Sequence, residues 1–219
     1  ITEKWNRPAS DIVRHIDFDA TTNRLLLVED PEGIRVLDVQ DGATLAKFPM
    51  TVDRAFFAGT KDRIVAFQRR RDKTVRSIDR ILLIDSKDGA ILKSLESAIR
   101  LNTLAVSPDR KLIAIAGDDQ SVTILDADTL AEKHRFHAHD AAITALCFHP
   151  SKPILATGSV DFSIKLWDYA EAQTKQTIFG LNGRPISITF SPSGHLLATD
   201  GMDSAFRIYE VDLQEPRPK

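Results

Sequence analysis

Residues 137 to 168 contain four side chains that could support either catalysis or a structural hydrogen-bond network. His139, Ser159 and Asp161 are the residue types of a hydrolytic triad, and Trp167 follows them. A triad needs an exposed nucleophile beside its base and an oxyanion site close by. The alternative is a buried relay in which each donor meets one acceptor.

The segments around these residues recur along the chain, and this repeat indicates what positions them. Five matching apolar positions, separated by 39, 49, 42 and 42 residues, are Phe18, Phe57, Val106, Phe148 and Phe190. Each is followed by two more short apolar runs and preceded by another, with turn pairs such as Asp41-Gly42 between them. In many runs both the odd and the even positions are apolar. Since alternate residues of a strand point to opposite faces, both faces of each small sheet must be covered. Four-stranded antiparallel units at this spacing predict an all-β fold, a β-propeller.

The whole chain, residues 1–219, is expected to form one propeller with five repeats. The predicted blade cores cover about 13–50, 52–97, 101–137, 143–180 and 185–212. Residues 1–7 are expected to supply an outer strand that closes the last blade. Two alternatives stay open. The ring is either closed with five blades or part of a larger ring, and an incomplete ring would pair with itself or with another chain through its open faces.

Residues 137–168 resemble the repeat of the WD-repeat β-propeller family almost throughout. The Gly-His of that family corresponds to Ala138-His139, its turn aspartate to Asp161, and its closing Trp-Asp to Trp167-Asp168. The other units match more loosely, with Asp119 and Asp203 at the turn position. The resemblance implies a propeller that binds partners, and the similar tetrad in WD-repeat proteins is structural.

We therefore expect a structural hydrogen-bond network and no catalytic site. The strand order places the loops of His139 and Asp161 at one end of the sheet. The Trp167 indole can donate to the hydroxyl of Ser159 or Thr157, which donates to His139, which donates to Asp161. The predicted network residues are His139, Thr157, Ser159, Asp161 and Trp167.

The second of the five sequence repeats has eight extra residues in the hairpin that carries the sequence QRRRDKTVRSIDR. Its candidate partner-binding residues are Arg69, Arg70, Arg71, Lys73 and Arg76. Guanidinium groups suit carboxylates and phosphates, so the partner would be acidic. A solvated charged tip is the alternative. Nucleic acid is disfavoured because the chain has 29 basic against 31 acidic residues and no aromatics between the arginines.

The sequence predicts no metal site and no cofactor. His134, His137 and His139 lie close together, but a metal needs three or four converging ligands. No apolar run is long enough to cross a membrane, and one cysteine without a visible targeting segment suggests a cytoplasmic location. We expect a non-enzymatic scaffold that docks peptides or proteins on its loops. The alternatives are a regulatory or sensor propeller attached to a catalytic domain outside this sequence, or a propeller enzyme.

Overall fold

The computed structural model describes residues 6, 12–60, 62–70 and 78–213, which form strands and turns and no helix. The chain divides into two compact units. The first consists of residues 1–98 and 126–131, and the second of residues 99–125 and 132–219. The candidate outer strand at residues 1–7 falls almost wholly outside the described residues.

The first unit contains two antiparallel sheets in which neighbours along the chain pair with each other. Sheet 1 consists of β1 (Ile12–Asp19), β2 (Arg24–Asp30), β3 (Gly33–Asp38) and β4 (Thr44–Phe48). Sheet 2 consists of β5 (Arg54–Ala58), β6 (Arg63–Arg70), β7 (Ile78–Asp85) and β8 (Ile91–Ser97).

The second unit contains three more sheets of the same kind. Sheet 3 consists of β9 (Leu101–Val106), β10 (Leu112–Gly117), β11 (Ser121–Asp126) and β12 (Glu132–His137), and Asp126 itself belongs to the first unit. Sheet 4 consists of β13 (Ile143–Phe148), β14 (Ile154–Ser159), β15 (Ile164–Asp168) and β16 (Gln173–Ile178). Sheet 5 has three strands in the described part of the chain, β17 (Pro185–Phe190), β18 (Leu196–Gly201) and β19 (Phe206–Glu210).

Within each unit, neighbouring sheets stack face to face and bury aliphatic side chains between them. Sheets 1 and 2 share a core that includes Leu26, Ile34, Phe57 and Ile64. Sheets 4 and 5 share another, formed by Ala145, Ile154, Ala156, Ile164, Leu166, Leu181, Ile188, Leu197 and Val211. A strand between two stacked neighbours is covered on both faces and is therefore mostly apolar, and every residue of β14 is buried. This explains the continuous apolar runs in the sequence.

Aspartates at the ends of four third strands begin the turn to the fourth strand. The Oδ1 atom of each accepts the backbone N–H two residues later, at 2.6 to 3.2 Å, and the four are Asp38, Asp85, Asp126 and Asp168. Such Asx turns satisfy backbone donors that would otherwise lack a partner at the strand end. Gly42 and Gly89 adopt positive φ in two of these turns, a conformation that glycine tolerates without strain.

Five antiparallel sheets, each built from strands in chain order, confirm the predicted all-β β-propeller class. The described part of the chain holds no helix long and apolar enough to cross a membrane.

Candidate functional site

The polar side chains of sheet 4 form a continuous hydrogen-bond relay. The Trp167 indole Nε1–H donates to Thr157 Oγ1 at 3.1 Å, and Thr157 Oγ1 lies 2.6 Å from His139 Nε2. His139 Nδ1 in turn lies 2.9 Å from Asp161 Oδ2. Strands β14 and β15 place Thr157 and Trp167 diagonally on one face, since Trp167 pairs with Leu155. His139 lies in the loop from β12 to β13 and Asp161 in the turn from β14 to β15.

Ser159 has a different role from Thr157, and this resolves the alternative that the sequence leaves open. The Ser159 hydroxyl donates to the Ala141 carbonyl at 3.1 Å and accepts the Asp161 backbone N–H at 3.1 Å. It therefore ties the His139 loop to the Asp161 turn. Side chains alternate between the two faces of a strand, so Thr157 and Ser159 lie on one face of β14. This alternation does not indicate which hydroxyl reaches the indole.

Ser163 is a member of the network that sequence reasoning missed. Its hydroxyl donates to Asp161 Oδ1 at 2.6 Å and lies 3.2 Å from His139 Nδ1. Its backbone N–H also donates to Asp161 Oδ1, at 3.0 Å. The available signal was the Asp-x-Ser spacing, because aspartate in a tight turn commonly accepts from the residue two positions later.

Burial controls the protonation of the network. Desolvation lowers the pKa of His139 below its ordinary value, although the hydrogen bond and charge of Asp161 act in the opposite direction. Burial alone would raise the pKa of Asp161, but hydrogen bonds from Ser163 and His139 lower it below the usual range. A neutral imidazole beside a carboxylate matches the relay, since His139 then donates from Nδ1 and accepts at Nε2.

The network can pass hydrogen bonds from an indole to a carboxylate, but its geometry differs from a nucleophilic triad. In a triad the nucleophile would lie beside His139 Nε2. Here that place is taken by the Thr157 hydroxyl oxygen, which also accepts the indole N–H of Trp167. His139, Thr157 and Ser159 are all fully buried. A substrate carbonyl would need to approach the nucleophile directly, and these side chains give it no surface to approach.

Comparison with known proteins gives a match at this network. Residues 131–168, which run from the start of β12 to the end of β15, match the family described as WD domain, G-beta repeat. Residues 131–168 are therefore a WD repeat. Together with the five-sheet architecture, this match supports a WD-repeat β-propeller. No curated protein sequence matches the chain.

The turn aspartate of the WD repeat recurs in sheets 3 and 5 of the second unit. Asp119 accepts the backbone N–H of Ser121 at 3.3 Å, and Asp203 accepts that of Ala205 at 3.3 Å, as Asp161 does from Ser163. Their other contacts are arginines in place of histidine. Arg135 donates to Asp119 at 2.6 Å, and Arg207 pairs with Asp203.

The arginine-rich hairpin lies in the first unit, between β6 and β7. Arg69 forms an ion pair with the buried Asp79 at 3.1 Å and packs over the Phe67 ring, so it is engaged within the hairpin. Arg70 is the last residue of β6 and pairs in register with Ile78. Arg71, Lys73 and Arg76 lie outside the described residues.

Three exposed apolar side chains lie on the loops of sheets 4 and 5, and sequence reasoning did not single them out. They are Phe162, Phe179 and Met202, with exposed fractions of 48%, 77% and 61%. The backbone links their loops, because Leu181 N–H donates to Phe162 O at 3.3 Å and Met202 N–H donates to Arg184 O at 3.1 Å. We call these three residues the loop-end patch. Phe162 and Met202 are single apolar residues beside Asp, Ser or Gly, and Phe179 directly follows Ile178 at the end of β16, so no periodic pattern marks the three as a surface.

Histidine clustering does not create a metal site in the described part of the chain, where no group of three potential ligands converges. His139 is already bound to Thr157 and Asp161, while the exposed His137 lies 4.0 Å from Asp140.

Proposed function

We propose that this propeller is a non-catalytic scaffold and that it docks an extended peptide segment of a protein partner on the loop-end patch. WD40 propellers are generally protein-interaction scaffolds. The observation that carries the proposal for this chain is the exposure of Phe162, Phe179 and Met202 on backbone-linked loops. Isolated exposed apolar residues are common on soluble proteins, but grouped ones favour a binding surface.

Hydrogen bonds and an ion pair of the neighbouring residues hold the loops of the loop-end patch in place. Phe162 follows Asp161, whose carboxylate binds His139 and Ser163. On the sheet 5 side, Met202 precedes Asp203, which pairs with Arg207. Loops held in place by buried or paired side chains lose little conformational entropy when a partner docks. The hydrogen-bond relay therefore supports the function by keeping the docking surface in one conformation.

The chemistry of the patch favours a peptide with apolar anchor residues. Two phenylalanine rings and a methionine offer large apolar contacts, and methionine adapts its shape to different partners. Arg184 is exposed beside them, with its Nε 3.0 Å from Met202 Sδ, and adds a polar rim. Buried apolar anchors with a polar rim are the usual composition of a protein interface.

The test is selection of binders from a random-peptide display library, followed by titration of the enriched peptides. Replacement of Phe162 and Phe179 by Ser should weaken their binding by at least about tenfold, since aromatic anchors commonly contribute more than 1.4 kcal/mol. The matched control replaces Ile91 and Leu92 by Ser, because these side chains on β8 are also exposed. Peptides that bind the Phe162 and Phe179 variant as tightly as the native chain would contradict the proposal.

The arginine-rich hairpin remains a second proposed surface, for an acidic partner. Its test should spare Arg69, because removal of that residue takes an ion pair from the buried Asp79, a change that destabilises the fold by itself. Replacement of Arg70, Arg71, Lys73 and Arg76 by Ala should weaken the binding of acidic peptides from the same library. Equal binding by this variant would eliminate the hairpin as a docking surface.

A further inference from the structure

One face of sheet 5 is apolar and exposed. Adjacent residues of a strand point to opposite faces, and on β19 Tyr209 packs toward sheet 4 while Phe206 and Ile208 point away from it. Phe206 and Ile208 have exposed fractions of 83% and 61%. Leu196 on the neighbouring strand lies on the same face and is also exposed. We call these three residues the open face.

The equivalent face of sheet 4 shows what normally covers such a surface. Residues 42 positions earlier occupy the same register, since Ala156 pairs with Leu166 as Ala198 pairs with Ile208. The counterparts of Leu196, Phe206 and Ile208 are therefore Ile154, Ile164 and Leu166. Ile164 and Leu166 are completely buried because sheet 5 packs on them. A face of this composition and register is thus built to receive another blade sheet.

Sheet 1 carries the side chains that such a covering sheet needs. Sheet 5 covers sheet 4 through Ile188 and Leu197, and the corresponding residues of sheet 1 are Ile16 and Leu25. The pairing of Phe18 with Leu25 matches that of Phe190 with Leu197. Both first strands also have a register shift near their start, after Val13 and after Pro185. Ile16 has an exposed fraction of 58%.

We propose that the open face of sheet 5 binds sheet 1 of a second copy of this chain. The contact reproduces the packing of sheet 5 on sheet 4, with Ile16 and Leu25 placed against Phe206 and Ile208. Asp200 stands on the open face where sheet 4 has Gly158, but its carboxylate accepts the Ser187 N–H at 2.7 Å and so has a partner within its own sheet. This surface is separate from the loop-end patch, so the inference does not rest on the proposed function.

The proposed contact is heterologous, because sheet 5 of one copy meets sheet 1 of the next. Each added copy leaves one sheet 1 and one sheet 5 available at the two ends. Such interfaces produce closed rings or open chains of copies and not a symmetric dimer alone. This geometry gives the inference a specific signature in solution.

Sedimentation velocity of the 219-residue chain across micromolar concentrations tests the contact. The native chain should form species larger than a monomer, and either Phe206→Glu or Ile16→Glu should weaken association by at least about tenfold. Both side chains are exposed, so far-UV circular dichroism should confirm that the variants fold. The control is Ile91→Glu on β8, an equally exposed apolar residue outside both faces, which should associate like the native chain.

A mixture of the two variants separates the proposed contact from unspecific aggregation. The Phe206→Glu chain retains its sheet 1, and the Ile16→Glu chain retains its sheet 5. Together they should form a one-to-one heterodimer that grows no further, although each alone is monomeric. A native chain that stays monomeric at every concentration would overturn the inference. So would association that the two substitutions leave unchanged or that Ile91→Glu reduces equally.

Discussion

His139 precedes the first strand of sheet 4, and the equivalent position before sheet 5, 42 residues later, is Leu181. This difference changes the hydrogen-bond partners of the neighbouring polar side chains. In sheet 4, Thr157 and Asp161 both bind the imidazole. In sheet 5, the counterpart Thr199 donates to the Ser187 carbonyl at 2.9 Å, and the counterpart Asp203 pairs with Arg207. Leu181 is buried among aliphatic side chains.

The comparison separates two functions of the turn aspartate. One carboxylate oxygen accepts the backbone N–H two residues later in sheets 3, 4 and 5 alike, and this contact is local. The second oxygen takes whichever donor the sheet supplies, which is His139, Arg135 or Arg207. The turn therefore depends on the aspartate alone, whereas the buried relay depends on the histidine. At this one position sheet 4 has a buried polar network, whereas sheet 5 has the apolar contacts of Leu181.

The largest expected effect comes from His139→Ala, which removes the centre of the relay. The substitution leaves a cavity and deprives the Thr157 hydroxyl and the Asp161 carboxylate of a buried partner. We expect a loss of about 3 kcal/mol in the free energy of unfolding, measured by chemical denaturation. His137→Ala, at an exposed position two residues away, is the control and should have little effect. Unchanged stability of His139→Ala, together with loss of a hydrolytic activity, would support the catalytic alternative.

A smaller difference should separate Asp161→Asn from Asp203→Asn. Both substitutions keep the side-chain oxygen that caps the turn, but only the first weakens a hydrogen bond to a buried histidine. We expect Asp161→Asn to lower the free energy of unfolding by about 1 to 2 kcal/mol. Asp203→Asn should cost less, because Arg207 can turn to solvent. Thermal unfolding of the two variants side by side measures the difference, and equal losses would contradict the comparison.

The smallest effect is expected from pH. The pKa of His139 is lowered in the folded chain, as burial disfavours the charged imidazole, so the unfolded chain binds its proton first when the pH falls. The stabilising contribution is complete above about pH 6.5, the unfolded pKa, and is lost as the pH falls through the folded pKa. Its slope for one histidine cannot exceed about 1.4 kcal/mol per pH unit.

The half-buried His15 and the buried His149 also contribute stability that is lost as the pH falls and must be accounted for in that measurement. Desolvation lowers the pKa of His15 to about 4, and it also lowers the pKa of His149. Denaturation at several pH values between 7 and 4.5 should show falling stability for the native chain and a shallower fall for His139→Gln. Identical slopes would show that His139 does not titrate on unfolding.

Period, strand pattern and turn chemistry predicted much of the fold. Many positions 42 residues apart in sheets 4 and 5 carry the same residue type, such as Thr157 and Thr199, and every residue of β14 is buried because sheet 4 is covered on both faces. The placement of His139 and Asp161 at one end of sheet 4 follows from strand order alone. The choice between Thr157 and Ser159 did not follow, since both are hydroxyls on one face of β14. Arg69 was expected to be available to a partner, but its pairing with Asp79 became visible only with the register of β6 and β7.

The amino-acid sequence by itself determined the β-propeller class, the WD repeat at sheet 4 and the residue types of its network. These depend on local spacing and on the alternation of side chains along a strand, which are properties of short segments. Only the tertiary structure decided which hydroxyl meets the imidazole, which apolar side chains form the loop-end patch and which sheet face stays exposed. The physical reason is that burial and hydrogen-bond partners are set by the neighbouring sheet, and that neighbour lies about 40 residues away in the sequence.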